Sequence, residues 1–282
     1  MPQAEAPPVP KPAATVVVMR ETHGAAASAL EVFLVQRQRT MGFMGGMYVF
    51  PGGKVSPADS GARLLARIAD ADAPAHRGAW GDDVDDALTL GWAMAAVRET
   101  FEESGVLLSS AALSNDVREG LRTRLHQGAD FGQLLEEANA ELHLSWLQPL
   151  SRWITPQSEP VRFDTAFYLA EAPAGQQARH DTMESLAGRW FTPKAALDAE
   201  RRGDIRLAPP TKITLGTLHE TASIEAAMAF AASRRPPVIE PLLKVVGDEV
   251  VIVYPGDPEH PVAERALPGP TRRVLRKLDS GG

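Results

Sequence analysis

Residues 92–106 read W-A-M-A-A-V-R-E-T-F-E-E-S-G-V, and this stretch limits what the rest of the chain can be. Leu90, Met94, Val97 and Phe101 fall at i, i+4, i+7 and i+11, one apolar stripe of a helix. Glu99, Glu102 and Glu103 fall at i, i+3 and i+4, so at ~100° per residue three carboxylates share one face. Like charges at those spacings destabilise a bare helix, and Arg98 is one positive charge against three. A hard divalent cation would hold them, since Mg²⁺ takes carboxylates together with substrate phosphates. The plainer reading is a solvated acidic face, which is what charge runs on helices usually are. Ser104-Gly105 closes the helix where a terminal glycine belongs.

Upstream, Met47–Phe50 reads as a short strand running into Pro51-Gly52-Gly53. Such a bend lets backbone approach a ligand closely, and its N–H groups suit phosphate oxygens. A simple turn is the alternative. Residues 56–88 are rich in Ala, Asp and Gly, with a helix expected over Ala62–Ala69. Asp82, Asp83, Asp85 and Asp86 form either a solvated helix N-terminus or a cation site, the first favoured by the helix dipole.

The totals narrow the class. A chain of 282 residues can bury a sizeable core. A net charge of −7 argues against nucleic-acid or membrane-surface partners, while leaving room for a local basic pocket. With no cysteine, disulfides, thiolate metal sites and cysteine nucleophiles are excluded. The first residues lack a signal-like apolar core, and no apolar run is long enough to span a bilayer. A cytoplasmic protein is expected.

In chain order, residues 1–13 read as a flexible tail. Strands are expected at Ala14–Met19 and Leu30–Arg37, with a loop at His23–Ser28, and again at Val106–Leu108, Leu147–Thr155, Arg162–Ala170 and Leu186–Phe191. Helices are expected at Asn115–His126, capped by Ser114, and at Asp130–Leu144. A further helix opens on Thr192-Pro193 and ends near Gly203. Thr211–Arg234 is mostly helical, and Leu242–Tyr254 is a hairpin turned at Gly247-Asp248. The basic end, with Arg272, Arg273, Arg276 and Lys277, packs either on the body or on a second subunit, which would make a homodimer.

Arg98, Glu99, Glu102, Glu103, Gly105 and Val106 resemble the second half of the Nudix box, R-E-U-x-E-E-x-G-U with U bulky and apolar. Thr100 stands where an apolar residue is usual. The box's leading glycine would be Gly53, which lies 45 positions before Arg98, 31 more than the unbroken pattern has. Leu90 occupies the place of the first glutamate, and Asp59, six after Gly53, is placed to take that part. An interrupted box is similar to the Nudix branch that includes peroxisomal coenzyme A diphosphatases. A coenzyme A signature of related enzymes is matched in part. F-L-V-Q-R ends at Arg37, and G-M-Y-V-F-P-G-G runs from Gly46 to Gly53. Gly42 replaces its intermediate arginine and Gln38 its small residue.

The resemblance implies an α/β fold, a Nudix-type α/β/α sandwich with a mixed sheet, a helical insert and a C-terminal extension. The hydrolase domain would span 14–205, with inserts at about 56–88 and 114–144, and 206–282 would add a helix, a hairpin and a tail. It implies metal-dependent hydrolysis of a diphosphate in a small nucleoside diphosphate derivative, coenzyme A or an acyl derivative leading. FAD, NADH or a nucleotide sugar, or a non-catalytic nucleotide-binding regulator, are the alternatives. Glu99, Glu102 and Glu103 would hold Mg²⁺ or Mn²⁺. Glu102 or Glu184 would take the proton from water, with Asp181 competing for the second place. Arg98 would position the loop by an ion pair, and Arg37, Gly52 and Gly53 would meet substrate. Tyr48, Phe50, Trp153 and Phe167 line either an apolar pocket or the core.

Overall fold

The computed structural model describes residues 6–23, 28–41, 44–70, 76, 78–181, 185–221 and 223–277. Its first elements are β1 (Lys11–His23), β2 (Ser28–Arg37), β3 (Tyr48–Val49), β4 (Gly52–Lys54), α1 (Ala62–Leu65) and α2 (Asp86–Ser104). Next come α3 (Asn115–His126), α4 (Phe131–Glu137), β5 (Gln148–Ile154), β6 (Phe163–Glu171), β7 (Ser185–Phe191) and α5 (Pro193–Arg201). The chain continues through α6 (Pro209–Thr221), α7 (Ile224–Ala232), β8 (Val238–Ile239), β9 (Leu242–Val246), β10 (Glu249–Val253) and β11 (Arg272–Lys277).

The central strand is β1, and its sequence says why. Thr15–Met19 is a nearly unbroken β-branched and apolar run, the pattern of a strand covered on both faces. Val16 and Val18 enter one core and Val17 and Met19 the other, all fully buried. The main sheet runs β3-β2-β1-β6-β5-β8, with β4 also pairing to β1 and β7 to β2. β1 and β6 are parallel, as are β5 and β8; the remaining pairs are antiparallel. Helices α2, α3 and α4 pack with Phe33, Val35 and Tyr168 on one face. On the other, α5, α6 and α7 pack with Val32, Leu34 and Leu169. The result is the mixed-sheet α/β/α sandwich. No helix among the described residues is long and apolar enough to cross a membrane.

Several boundaries differ from the sequence reading. β1 reaches back to Lys11, inside the stretch read as a tail, because Lys11–Ala13 pair with Phe163–Thr165 of β6. It also runs forward to His23, and β2 opens at Ser28, inside the expected loop. Val106–Leu108 is buried but joins no strand; the Gln176 side chain accepts from Leu107 N and donates to Leu107 O, both at 2.9 Å, in place of a neighbour. α4 stops at Glu137 because Asn139 turns the backbone left-handed, at φ 48°. α1 is four residues long, shorter than expected. The helical stretch after Thr211 is two helices, the second capped by Ser223, whose hydroxyl accepts from Ala226 N.

The segment beyond residue 205 is not an appendage. Leu215, Leu218, Ile224 and Ile239 belong to the second core, and β8 extends the main sheet. β9, β10 and β11 form a second sheet, so the basic stretch packs on its own body, with Arg272 paired to Asp257 at 2.6 Å.

Candidate active site

α2 begins where Asp85 accepts a hydrogen bond from Leu88 N at 2.7 Å, a side-chain N-cap. It ends at Gly105, whose φ of 69° admits few residues other than glycine. Met94, Val97 and Phe101 are buried against the sheet, while Leu90 is half-buried. The opposite side carries Arg98, Glu99 and Glu102, with Glu103 turned inward and 6% exposed.

Arg98 organises this side. Its Nε and Nη2 donate to the two oxygens of Asp59 at 2.7 and 2.9 Å. Nη2 also donates to Lys54 O at 3.0 Å, and Nη1 to Glu99 at 2.7 Å and Glu102 at 3.1 Å. All five guanidinium N–H groups thus have protein acceptors. Burial by itself would ease the proton off. The Asp59 hydrogen bonds and the charges of Glu99 and Asp59 outweigh it, holding the group's pKa well above its ordinary value. Asp59 is completely buried and also accepts from Ser56 N at 2.7 Å. It is therefore the acid that faces Arg98 across the interruption, in the role its position after Gly53 foretold.

This clamp presses the glycine bend onto the acidic helix. Gly52 N donates to Glu103 Oε2 at 3.0 Å, between residues 51 positions apart. A Cβ on Gly53 would overlap the Glu99 carboxylate, and one on Gly52 would strike the backbone of Ala14. Gly52 is required by backbone contact, whereas a side chain at Gly53 would push the Glu99 carboxylate aside.

The last turn of α2 is fastened from outside. Its free carbonyls need donors, and Arg122 Nε serves Glu102 O at 2.8 Å. Arg179 N serves Ser104 O at 2.8 Å and Asp181 N serves Glu103 O at 3.1 Å. The segment leading to residue 184 is thus tied to the base of the acidic face. Glu184 itself lies outside the described residues.

Beside the bend lies a cleft of about 410 Å³, lined by Arg37, Phe50, Gly52, Trp153 and Phe167 among others. Arg37 Nε is buried there, with no hydrogen-bond partner among the described residues. Tyr48 does not line the cleft; it packs edge-on against Phe191 in the second core, ring centres 6.0 Å apart. Asp83 pairs with the buried Arg152 at 2.7 Å, and Arg152 also grips Asp164, so this part of the aspartate run has an internal partner. The three carboxylates Glu99, Glu102 and Glu103 offer hard oxygen donors of the kind that suit Mg²⁺ or Mn²⁺, with the Arg98 guanidinium as their present counter-charge. As placed, the carboxylates are drawn to Arg98 and Gly52, and among the described residues no three acidic or imidazole groups converge into a cage.

Sequence reasoning missed Arg122, Gln176, Arg179 and Arg152. Each acts on residues far along the chain, and none carries a local signal.

The family model of the NUDT19 Nudix domain matches residues 10–218, about three-quarters of the chain. The chain belongs to the Nudix family. This Nudix protein is 27% identical over 276 residues to the acyl-coenzyme A diphosphatase NUDT19 of Xenopus laevis, covering 83% of this chain and 72% of that one. Its similarity to the Homo sapiens protein of the same name is 28% over 271 residues, covering 82% and 72%. Among solved structures, a NUDIX hydrolase from Alicyclobacillus acidocaldarius superposes with a TM-score of 0.62 at 30% identity, covering 78% of this chain and 96% of that one. The Nudix assignment makes the chain a pyrophosphohydrolase, an enzyme that hydrolyses a diphosphate linkage.

Proposed function

We propose that this enzyme hydrolyses the diphosphate of coenzyme A or of an acyl derivative, with Mg²⁺ or Mn²⁺ held by Glu99, Glu102 and Glu103. The observation that carries the reading is the Asp59–Arg98 clamp, which sets the Pro51-Gly52-Gly53 bend against the acidic face, beside a largely apolar cleft. The name of the Xenopus and human relatives points to the same substrate class.

In this reading, Arg98 is a positioning residue, because its donors are all engaged by protein. Arg37, whose buried Nε has no acceptor among the described residues, neutralises a phosphate oxygen. Phe50, Trp153 and Phe167 give the apolar pantetheine or acyl portion a dry surface. A bound dication supplies charge neutralisation on the non-bridging oxygens and acidifies the attacking water. The water oxygen forms the new bond to phosphorus as the anhydride P–O bond breaks. Its proton passes to a carboxylate, Glu102 or Glu184, and the leaving phosphate departs as an anion that needs little protonation.

Turnover of coenzyme A, a medium-chain acyl-coenzyme A, FAD, NADH and a nucleotide sugar is compared with Mg²⁺, with Mn²⁺ and with a chelator. Coenzyme A compounds are expected to be cleaved to a phosphopantetheine and adenosine 3′,5′-bisphosphate, only with metal. E103Q is expected to abolish turnover with an unchanged or raised melting temperature. Glutamine keeps an oxygen for Gly52 N and relieves like-charge repulsion. Activity surviving in E103Q, or in chelator, overturns the metal assignment.

A further inference from the structure

A second pocket, about 310 Å³, lies on the far side of Met47 and Pro209, residues it shares with the substrate cleft. In a chain of net charge −7 it gathers Arg201, Arg206, Lys212 and Arg273 around a single acid, Glu200. These cations come from α5, the loop after it, α6 and β11, so the fold rather than a basic run brings them together. Glu200 is taken by Lys212 at 2.5 Å, and Arg201 by Asp198. Arg206 and Arg273 form no ion pair among the described residues. The amino end of the 13-residue helix α6 opens at Pro209, and its dipole adds positive potential to the same wall.

The pocket is also held at a fixed distance from the glycine bend. Tyr48 N donates to Arg206 O at 2.7 Å, and Ala208 N to Tyr48 O at 3.2 Å. The loop bearing Arg206 is therefore bonded to β3, the strand that leads directly into Pro51-Gly52. At an extended rise the four residues from Tyr48 to Gly52 span at most about 13 Å, a gap that a nucleotide and an arginine side chain together bridge. Guanidinium groups hold phosphate well because their paired donors match its oxygens.

We infer that this pocket binds a phosphomonoester, the one carried on the ribose of the nucleotide whose diphosphate meets Gly52 and Arg37. The inference rests on the proposed coenzyme A reading, and it makes the ribose phosphate a specificity determinant. Its test compares kcat/KM for coenzyme A and 3′-dephospho-coenzyme A in the wild type and in R206Q/R273Q. Both arginine side chains are exposed, so the variant is expected to fold. Wild type should favour coenzyme A by about tenfold or more through KM, the size of one or two charge-assisted contacts. In the variant the ratio should fall toward one. Equal values in the wild type, or an undiminished ratio in the variant, overturn the inference and leave diphosphate hydrolysis standing. If neither compound is cleaved, the substrate reading has failed and the pocket is judged by calorimetry. Adenosine 3′,5′-bisphosphate binding more tightly than AMP, with the difference lost in R206Q/R273Q, upholds a phosphomonoester site; equal affinities overturn it. Titration with inorganic phosphate separates the sources: phosphate binding lost in the variant, without preference between the nucleotides, makes this a free-phosphate site and overturns the nucleotide assignment.

Discussion

Replacing Asp59 with asparagine keeps the side chain's shape and removes its charge. The carboxylate is fully buried and receives three donors, Arg98 Nε, Arg98 Nη2 and Ser56 N. Asparagine offers one oxygen and one NH₂, so at least one of those donors meets another donor. Taking one partner from a buried pair costs about 3–5 kcal/mol. Arg98 keeps Lys54 O, Glu99 and Glu102, which puts D59N at the lower end, about 3 kcal/mol. For a chain of this size about 2 °C is lost per kcal/mol, so the melting temperature should fall by about 6 °C. Turnover should fall too, because the released guanidinium settles on Glu99 and Glu102 and the glycine bend loosens. Calorimetry and urea unfolding on wild type, D59N, R98M and the double variant give the coupling. The double variant should be less destabilised than the two single losses combined, by about 1 kcal/mol or more. Melting within about 1 °C of wild type, or simple additivity in the cycle, would refute the clamp as what joins bend and helix.

Two further outcomes follow from the same geometry. G53A should cost about 100-fold in kcat with a much smaller loss of stability, since the added methyl displaces the Glu99 carboxylate while the backbone there is unstrained; full activity in G53A, measured alongside Mn²⁺ affinity, would remove Glu99 from the site. His76 is 3% exposed, and burial holds its imidazole below the ordinary value although Leu144 O and Leu147 O face its Nε2. The unfolded chain therefore takes up the proton first. The neutral ring's contribution is whole above about pH 6.5 and is lost as pH falls through the lower folded value, by up to about 1.4 kcal/mol per pH unit. Melts from pH 7 to 5 should show a steeper decline for wild type than for H76M, and parallel curves would count against it.

What could be read in advance was what the chain states locally. Ser114 and Thr192 cap their helices as expected, each accepting from the backbone N–H three residues on, and Gly105 takes the left-handed turn. The valines of β1 announced a strand buried on both faces. Asp59 could be nominated because the box spacing leaves only a narrow window after Gly53. What escaped was set by distant partners. Nothing near Leu107 says that a glutamine 69 residues on will replace a strand. Nothing near Tyr48 says that it faces Phe191 rather than the cleft. Asn139 carried a weak signal, since asparagine tolerates positive φ, but the apolar stripe running past it pointed to a longer helix.

The Asp59–Arg98 contact makes the length of the connection between bend and helix nearly irrelevant to their alignment. Stretching that span from 14 to 45 positions raises the entropic cost of bringing its ends together by only about 1 kcal/mol. Removing one partner of the Asp59–Arg98 pair costs several times that, about 3–5 kcal/mol. A lineage that owns such a fastener is free to splice new chain into its most guarded motif, and what it splices can evolve a separate use while the chemistry beneath keeps its register.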